Sequence, residues 1–231
     1  MAVAIVIIAI GAIFVLLYFS PGNLKTETLE FSDFSAIEAG SAFQVSITQS
    51  DTYSVKISAG ENIYDRIQVT QDGQTLKIDV NPGVFFGTFD AKAEITMPNL
   101  NSLEISGASH GTVDGFNSSG QFVAKVSGAS FLELTNFMVG DVDFELSGAS
   151  HLTSSGAGSN LTSVVTGGSN LDLTNFQVTN ANVDLSGGSH ATVKLNGRLD
   201  VQASGASSLD YFGEPTLGTI NTSGASSINK R

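Results

Sequence analysis

A four-residue pattern recurs along the second half of this chain at nearly constant spacing. Ser-Gly-Ala-Ser, or a close variant, begins at Ser106, Ser127, Ser147, Thr166, Ser186, Ser204 and Ser223, with successive gaps of 21, 20, 19, 20, 18 and 19 residues. Flexible Gly/Ser linkers keep no period, so each occurrence marks the same point of a repeated structural unit. The flanking residues alternate. Leu103 and Ile105, Ala124 and Val126, Phe144 and Leu146, and Val183 and Leu185 precede the motif, with Glu104, Lys125, Glu145 and Asp184 between them. After it come Leu132 and Leu134, Leu171 and Leu173, Ala191 and Val193, and Leu209 and Tyr211, separated by Glu133, Asp172, Thr192 and Asp210. A period of two is a strand with one dry face.

Each unit is thus a strand, a corner, a second strand and a return loop. No 3.6-residue period and no leucine-rich scaffold is present, and coils of about 20 residues with short strands are what a parallel β-helix requires. Glycine at the corner permits a bend that a Cβ would obstruct. The small residue after it is expected to leave room for coils stacked about 4.8 Å apart. The flanking hydroxyls are expected to take up backbone groups that the corner leaves unpaired. The chain is therefore read as all-β, a parallel β-helix of about seven coils of ~20 residues over residues 99–231. Leu132 to Phe137 recurs as Leu171 to Phe176, 39 residues later, so a two-coil unit is duplicated. Phe137, Phe176 and, one coil earlier, Phe116 are expected inside.

Residues 31–98 lack the motif but carry alternating runs, Phe43 to Ile47, Tyr53 to Ile57 and Leu76 to Val80. Hairpin turns are expected at Gln49 to Thr52 and at Asp72-Gly73. This segment is read as an N-terminal β cap and the first coils, because an uncovered strand edge invites aggregation. At the other end the last coil is expected either to rely on the charges of Lys230 and Arg231 or to meet a partner.

Ala2 to Phe19 is an unbroken run of 18 uncharged residues. At about 1.5 Å per residue it reaches across the hydrocarbon core of a bilayer, and Ser20-Pro21-Gly22 stops it. No Lys or Arg precedes the run, and bulky Tyr18 and Phe19 stand near its end. Both features favour one retained transmembrane helix over a cleaved signal, which stays the alternative. Residues 1–20 are then the membrane contact and 21–30 a linker. The remainder is expected to be extracytoplasmic, at the cell surface or in the periplasm.

Composition removes several function classes. With 22 acidic and 10 basic residues the net charge is −12, unlike a nucleic-acid binder, which needs clustered cations. There is no cysteine, hence no disulfide, thiol nucleophile or thiolate metal site. Gly-x-Ser-x-Gly, His-Glu-x-x-His and Walker-type loops are missing, as is the paired-carboxylate cluster of a glycoside hydrolase. No catalytic residue, metal site or cofactor is expected. Asn117-Ser-Ser, Asn160-Leu-Thr and Asn221-Thr-Ser match the glycosylation acceptor pattern.

Stacked coils bring equivalent outward positions into columns. One column reads His110, Phe131, His151, Asn170, His190, Ser208, Ser227, and its neighbour Thr112, Glu133, Thr153, Asp172, Thr192, Asp210, Asn229. All three histidines fall in the first column on alternate coils, and carboxylates occupy the second on the coils between. His110, Glu133, His151, Asp172, His190 and Asp210 are the candidate ligand face. Alternate coils lie about 9.6 Å apart, too far for two histidines to share a metal at about 2.1 Å per bond. A plain solvated surface, patterned by the two-coil duplication, is the competing reading. Glu104, Lys125 and Glu145 alternate in sign at strand spacing, which predicts cross-strand pairing.

Several of these stretches resemble the head GIN domain family, a putative auto-transporter adhesin family. They are Phe34-Ser-Ala-Ile37, Ala42-Phe-Gln-Val-Ser-Ile47, Asn62-Ile-Tyr-Asp65, Gly73-Gln-Thr-Leu-Lys-Ile78 and the Ser-Gly-Ala-Ser series. The resemblance spans about residues 31–228. It implies a right-handed parallel β-helix in the prokaryotic cell envelope, and it brings no catalytic residues. The chain is read as a membrane-anchored envelope module with a binding or structural role, its partners glycans or envelope proteins. The alternatives are a non-adhesive envelope scaffold or sensor, and a polysaccharide-active enzyme.

Overall fold

The computed structural model describes residues 23–81 and 90–231. The N-terminal strands are β1 (Leu24–Leu29), β2 (Ala36–Ala39), β3 (Gln44–Gln49), β4 (Ser54–Gly60), β5 (Ile67–Asp72), β6 (Thr75–Val80) and β7 (Ala91–Met97), with one helical turn, α1 (Glu61–Tyr64). Strands then come in corner-linked pairs: β8 (Ser102–Ile105) with β9 (His110–Asp114), β10 (Phe122–Val126) with β11 (Phe131–Met138), and β12 (Val142–Leu146) with β13 (His151–Ala157). The series continues with β14 (Asn160–Val165) and β15 (Asn170–Val178), β16 (Asn180–Leu185) and β17 (His190–Leu195), β18 (Arg198–Ala203) and β19 (Ser208–Phe212), and β20 (Thr216–Thr222) and β21 (Ser227–Lys230).

Even-numbered strands from β8 onward stack in a 10-stranded sheet and odd-numbered strands from β9 onward in an 11-stranded sheet, every contact parallel. The chain is therefore a two-sheeted β-solenoid. The seven corners of the Ser-Gly-Ala-Ser series delimit six complete turns, one fewer than the motif count suggests, because a turn closes only when its return loop reaches the next corner.

The corner explains the motif. Its glycine takes positive φ in every coil, from 64° at Gly107 to 80° at Gly128. A Cβ on Gly148 would also sit 2.5 Å from the carbonyl oxygen of Gly128. That oxygen accepts a hydrogen bond from the Ala149 N–H at 2.9 Å, and the Gly148 carbonyl accepts in turn from the Gly168 N–H at 2.8 Å. Glycine is thus needed for both backbone angle and contact distance. The following small residue is a different case. It is exposed, and a Cβ on Gly168 would meet Gly148 no closer than 3.8 Å. Crowding between coils does not select it, contrary to expectation. The motif's last serine points inward: Ser109, Ser130, Ser150, Ser169, Ser189 and Ser207 are all buried. Ser150 Oγ donates to the Ser147 carbonyl at 2.8 Å and Ser207 Oγ to Ser204 at 2.9 Å, while Ser130 Oγ accepts from the Ser109 N–H at 3.2 Å. These hydroxyls satisfy the bend from within, whereas Ser189 Oγ has no hydrogen-bond partner among the described residues.

The interior is one continuous apolar column. Phe116, Phe137 and Phe176 are buried in it as the duplication implies, and Phe122 meets Phe137 edge-on at 4.7 Å. Two serines break the pattern. Ser154 and Ser163 are buried with hydroxyls that have no hydrogen-bond partner among the described residues. Ser163 stands in register with Phe144.

The N-terminal segment is more deeply built into the solenoid than a cap alone. β2 and β3 form a rung of their own, laid parallel against β8 and β9, and β6 and β7 form the rung beneath. Gly40-Ser41-Ala42-Phe43 serves as the corner, with Ala42 N–H bonded to the Gly107 carbonyl at 2.9 Å. Below it β5 pairs antiparallel with β6, and β1 and β4 extend the other sheet antiparallel to β7. Asp72-Gly73 makes the expected hairpin. Gln49 to Thr52 does not: both edges of β3 are taken by β7 and β9, so the chain steps over β7 before β4 can pair. At the far end Lys230 pairs with Glu214 at 2.5 Å and Arg231 with Asp210 at 2.9 Å, so both charges fold back onto the preceding coil.

No helix among the described residues is long and apolar enough to cross a membrane. The apolar run 2–19, expected to do so, lies outside the described residues.

Two measurements test this account. Gly148→Ala should lower stability by at least about 2 kcal/mol through strain and overlap, whereas Gly168→Ala should leave it unchanged or raise it by up to about 1 kcal/mol. Ser163→Ala, which removes an unpaired buried hydroxyl, should raise stability by about 1 kcal/mol in denaturant melts.

Candidate functional site

The outward side of the 11-stranded sheet carries every residue of the candidate face. Apolar side chains fill the interior at alternate positions of each strand, so the remaining positions are fixed outward. The parallel register then stacks His110, Phe131, His151, Asn170, His190, Ser208 and Ser227 in one file. Two residues along each strand, Thr112, Glu133, Thr153, Asp172, Thr192, Asp210 and Asn229 form the second file. The lattice has a spacing of about 4.8 Å across strands and about 6.6 Å along them.

The aromatic part of the first file is a stack. His110 and Phe131 lie 4.7 Å apart at 8° between planes, and Phe131 and His151 4.9 Å apart at 13°. These separations equal the strand spacing, so the backbone dictates the stack. The rings therefore cover one another's faces and present their edges outward. His190 is held differently: Nδ1 lies 2.7 Å from Ser208 Oγ and Nε2 3.3 Å from Thr192 Oγ1.

The three carboxylates are not equivalent. Asp210 is engaged by Arg231 at 2.9 Å and accepts from Asn229 Nδ2 at 3.1 Å. Asp172 accepts from its own strand, from Thr174 Oγ1 at 2.6 Å and the Thr174 N–H at 3.0 Å. Partial burial pushes the Asp172 carboxyl up, but those two hydrogen bonds and the attraction of His151 and His190 outweigh it, leaving its pKa below the ordinary value. Glu133 has no hydrogen bond or ion pair among the described residues. No group of three or more His, Asp and Glu among the described residues is placed to hold a metal ion.

Sequence reasoning missed Asp114, one outward position further along β9. It accepts from Thr135 Oγ1 at 2.7 Å and Asn136 Nδ2 at 2.8 Å, which hold its carboxyl below the usual range. Asn136 reaches it from a left-handed backbone position, φ 50°, beside a shift in strand register that no periodicity announces. On the opposite sheet Lys125 pairs with Glu145 at 3.2 Å, in line with the alternation of sign. The β2 rung interrupts that series by setting Glu38 in register with Glu104, and Lys77 compensates from the next strand at 3.3 Å. Of the glycosylation patterns, the one at Asn160 is committed elsewhere. Its Nδ2 donates to Asp141 at 2.7 Å and its Oδ1 accepts from Asn180 at 2.9 Å, in a ladder along the return loops.

Residues 33–215 match the protein family described as "Putative auto-transporter adhesin, head GIN domain". The chain belongs to the head GIN domain family. Solved structures repeat the architecture. A putative adhesin from Bacteroides fragilis superposes with a TM-score of 0.85 at 20% identity, covering 91% of this chain and 99% of that one. A putative adhesin from Parabacteroides distasonis gives 0.71 at 14% identity over 90% and 97% of the two chains. A protein from the same species described as a putative lipid binding protein gives 0.70 at 19% identity over 91% and 97%. At these identities the likeness is one of fold. No curated protein matches the chain significantly. The head GIN family and these neighbours carry adhesin or lipid-binding descriptions and none is described as an enzyme.

The carboxylates of the face also set an acid limit on stability. Asp114, Asp172 and Asp210 all titrate below the ordinary aspartate range in the folded chain. A carboxyl with a depressed folded pKa stabilises the fold above its unfolded value and loses that contribution as pH falls through the folded one. The melting temperature should hold level above about pH 5 and drop as pH falls through 3.8 and below. Asp172→Asn should make that drop shallower.

Proposed function

We propose that this head GIN domain chain is a membrane-anchored, extracytoplasmic binding module, which holds other envelope molecules on the outward face of its 11-stranded sheet without transforming them. The observation that carries this reading is the lattice itself. Two files of side chains, polar except for Phe131, with His, Thr and carboxylate in a two-rung alternation, lie on one sheet spanning β9 to β21. Many equivalent weak contacts at fixed spacing suit an extended ligand, since each added contact acts at high effective concentration once the first is made. Family membership supports the adhesin-like role. The run Ala2 to Phe19 supplies the anchor, which would leave the solenoid projecting from the membrane.

Two variants of the full chain, held in non-ionic detergent, test the assignment. Thr153→Arg with Thr192→Arg covers the face with bulk and opposite charge. Thr162→Arg with Asn182→Arg does the same to the outward side of the 10-stranded sheet. Retention of labelled envelope fragments should fall at least about tenfold for the first and little for the second. Equal retention by both would move the role to a scaffold that does not use this face. Protease applied to intact cells should remove the chain after Ser20, and full protection would overturn the extracytoplasmic placement.

A further inference from the structure

Within the face, the spacing and state of two carboxylates narrow the ligand further. Glu133 and Asp172 stand in one file on β11 and β15, with Thr153 of β13 between them. Their strands are two rungs apart, about 9.6 Å. In an extended β-1,4-linked sugar chain each sugar is turned over relative to its neighbour, so a given substituent returns to the same side once per disaccharide. That repeat has about the length of two rungs. Thr112, Thr153 and Thr192 alternate with the carboxylates in the same file; Thr112 Oγ1 donates to the Val45 carbonyl and Thr192 Oγ1 meets His190, so Thr153 between the two acids has the hydroxyl that is open to a sugar.

Charge selects the substituent. Glu133 is without a partner among the described residues, and Asp172 is met only by Thr174 of its own strand and, electrostatically, by His151 and His190. Each can take an external cation at no loss of an internal ion pair. Asp210 cannot, because Arg231 already occupies it. A polymer bearing carboxylates would meet like charge here, on a chain of net charge −12. A neutral sugar chain that relies on stacking against aromatic faces would find Phe131 covered on both sides by His110 and His151.

Resting on the binding role assigned to this face, we infer that its ligand is a linear β-linked amino-sugar chain laid across the strands, with the protonated amines of alternate sugars over Glu133 and Asp172. The regular part of the lattice runs from Thr112 on β9 to Thr192 on β17, four rung spacings or about 19 Å. It accommodates about two disaccharides.

The probes are β-1,4-linked glucosamine oligomers of two, four and six sugars, and the fully N-acetylated tetramer, titrated near neutral pH into the full chain in non-ionic detergent. Affinity should rise at least about tenfold from dimer to tetramer and less than about threefold from tetramer to hexamer. The N-acetylated tetramer should bind at least about tenfold more weakly than the free amine. Glu133→Gln with Asp172→Asn should lose at least about tenfold, and Glu133→Gln alone, which breaks no internal contact, should lose part of it. Glu104→Gln with Asp184→Asn removes the same charge from the opposite sheet and should change nothing. Affinity flat with length, equal binding of the acetylated tetramer, or equal loss in both double variants would overturn the inference, the last by reducing it to attraction between a polycation and an acidic protein. If it fails while Thr153→Arg with Thr192→Arg still abolishes envelope retention, the face stands and the ligand class is wrong. If both fail, the face is not the site.

Discussion

The solenoid depends on a single contact repeated from corner to corner: a glycine in a left-handed conformation whose carbonyl, from Gly128 to Gly205, is bonded by the N–H one coil further on. At Gly128, Gly148 and Gly167 the spacing is tight enough that a Cβ would fall within 2.4–3.1 Å of the neighbouring backbone. This keeps the ladder of hydrogen bonds unbroken through the bend, so the two sheets are joined by bonded corners and not by loose loops. At most corners the serine turned inward supplies the polar partner that an apolar core cannot, as at Ser130, Ser150 and Ser207. Once corners are locked in register, so is every position a fixed number of residues away.

That propagation gives the outer face its order. The ring separations of 4.7 and 4.9 Å in the His110–Phe131–His151 stack follow from strand spacing, without any special attraction between the rings. The same register makes the two-coil duplication visible as chemistry, with Thr and acid alternating in one file and histidine recurring in the next. Duplication explains the alternation, and within the file Glu133 stays without a basic partner while Asp210 is engaged by Arg231.

Much of this was legible in the sequence because the solenoid is nearly one-dimensional: a constant period fixes both stacking and facing. The files of the candidate face, the buried Phe137 and Phe176 and the Lys125–Glu145 pair all follow from counting. What counting could not reach was order among rungs. The β2–β3 rung is wedged between β6–β7 and β8–β9, and nothing local in Gly40-Ser41-Ala42-Phe43 announces it. There Ser41 and Ala42 adopt the left-handed backbone themselves, at φ 59° and 62°, and Phe43 stands where other coils bury serine. The same insertion hid the Glu38–Glu104 juxtaposition and turned an apparent hairpin at Gln49 to Thr52 into a step across β7. The coupling of Asp114 to Asn136 was hidden too, because shifts in strand register leave no trace in an apolar/polar alternation.

The stacking of rings edge-outward has a consequence for how such a surface recognises anything. Aromatic residues on protein surfaces commonly offer their faces to ligands, and a face so offered discriminates little between charges. Here the solenoid consumes those faces internally, so aromatic content rigidifies the file and leaves selection to ring-edge nitrogens, hydroxyls and carboxylates. Such groups are well hydrated, and one of them alone gains little over water. They become effective only when several act together at a spacing the ligand shares, and a backbone ladder holds that spacing with little further loss of conformational entropy on binding. A stiff periodic surface therefore favours a stiff periodic ligand. A flexible chain would have to be ordered at each rung, and a compact one would cover too few rungs to gain from the repeat.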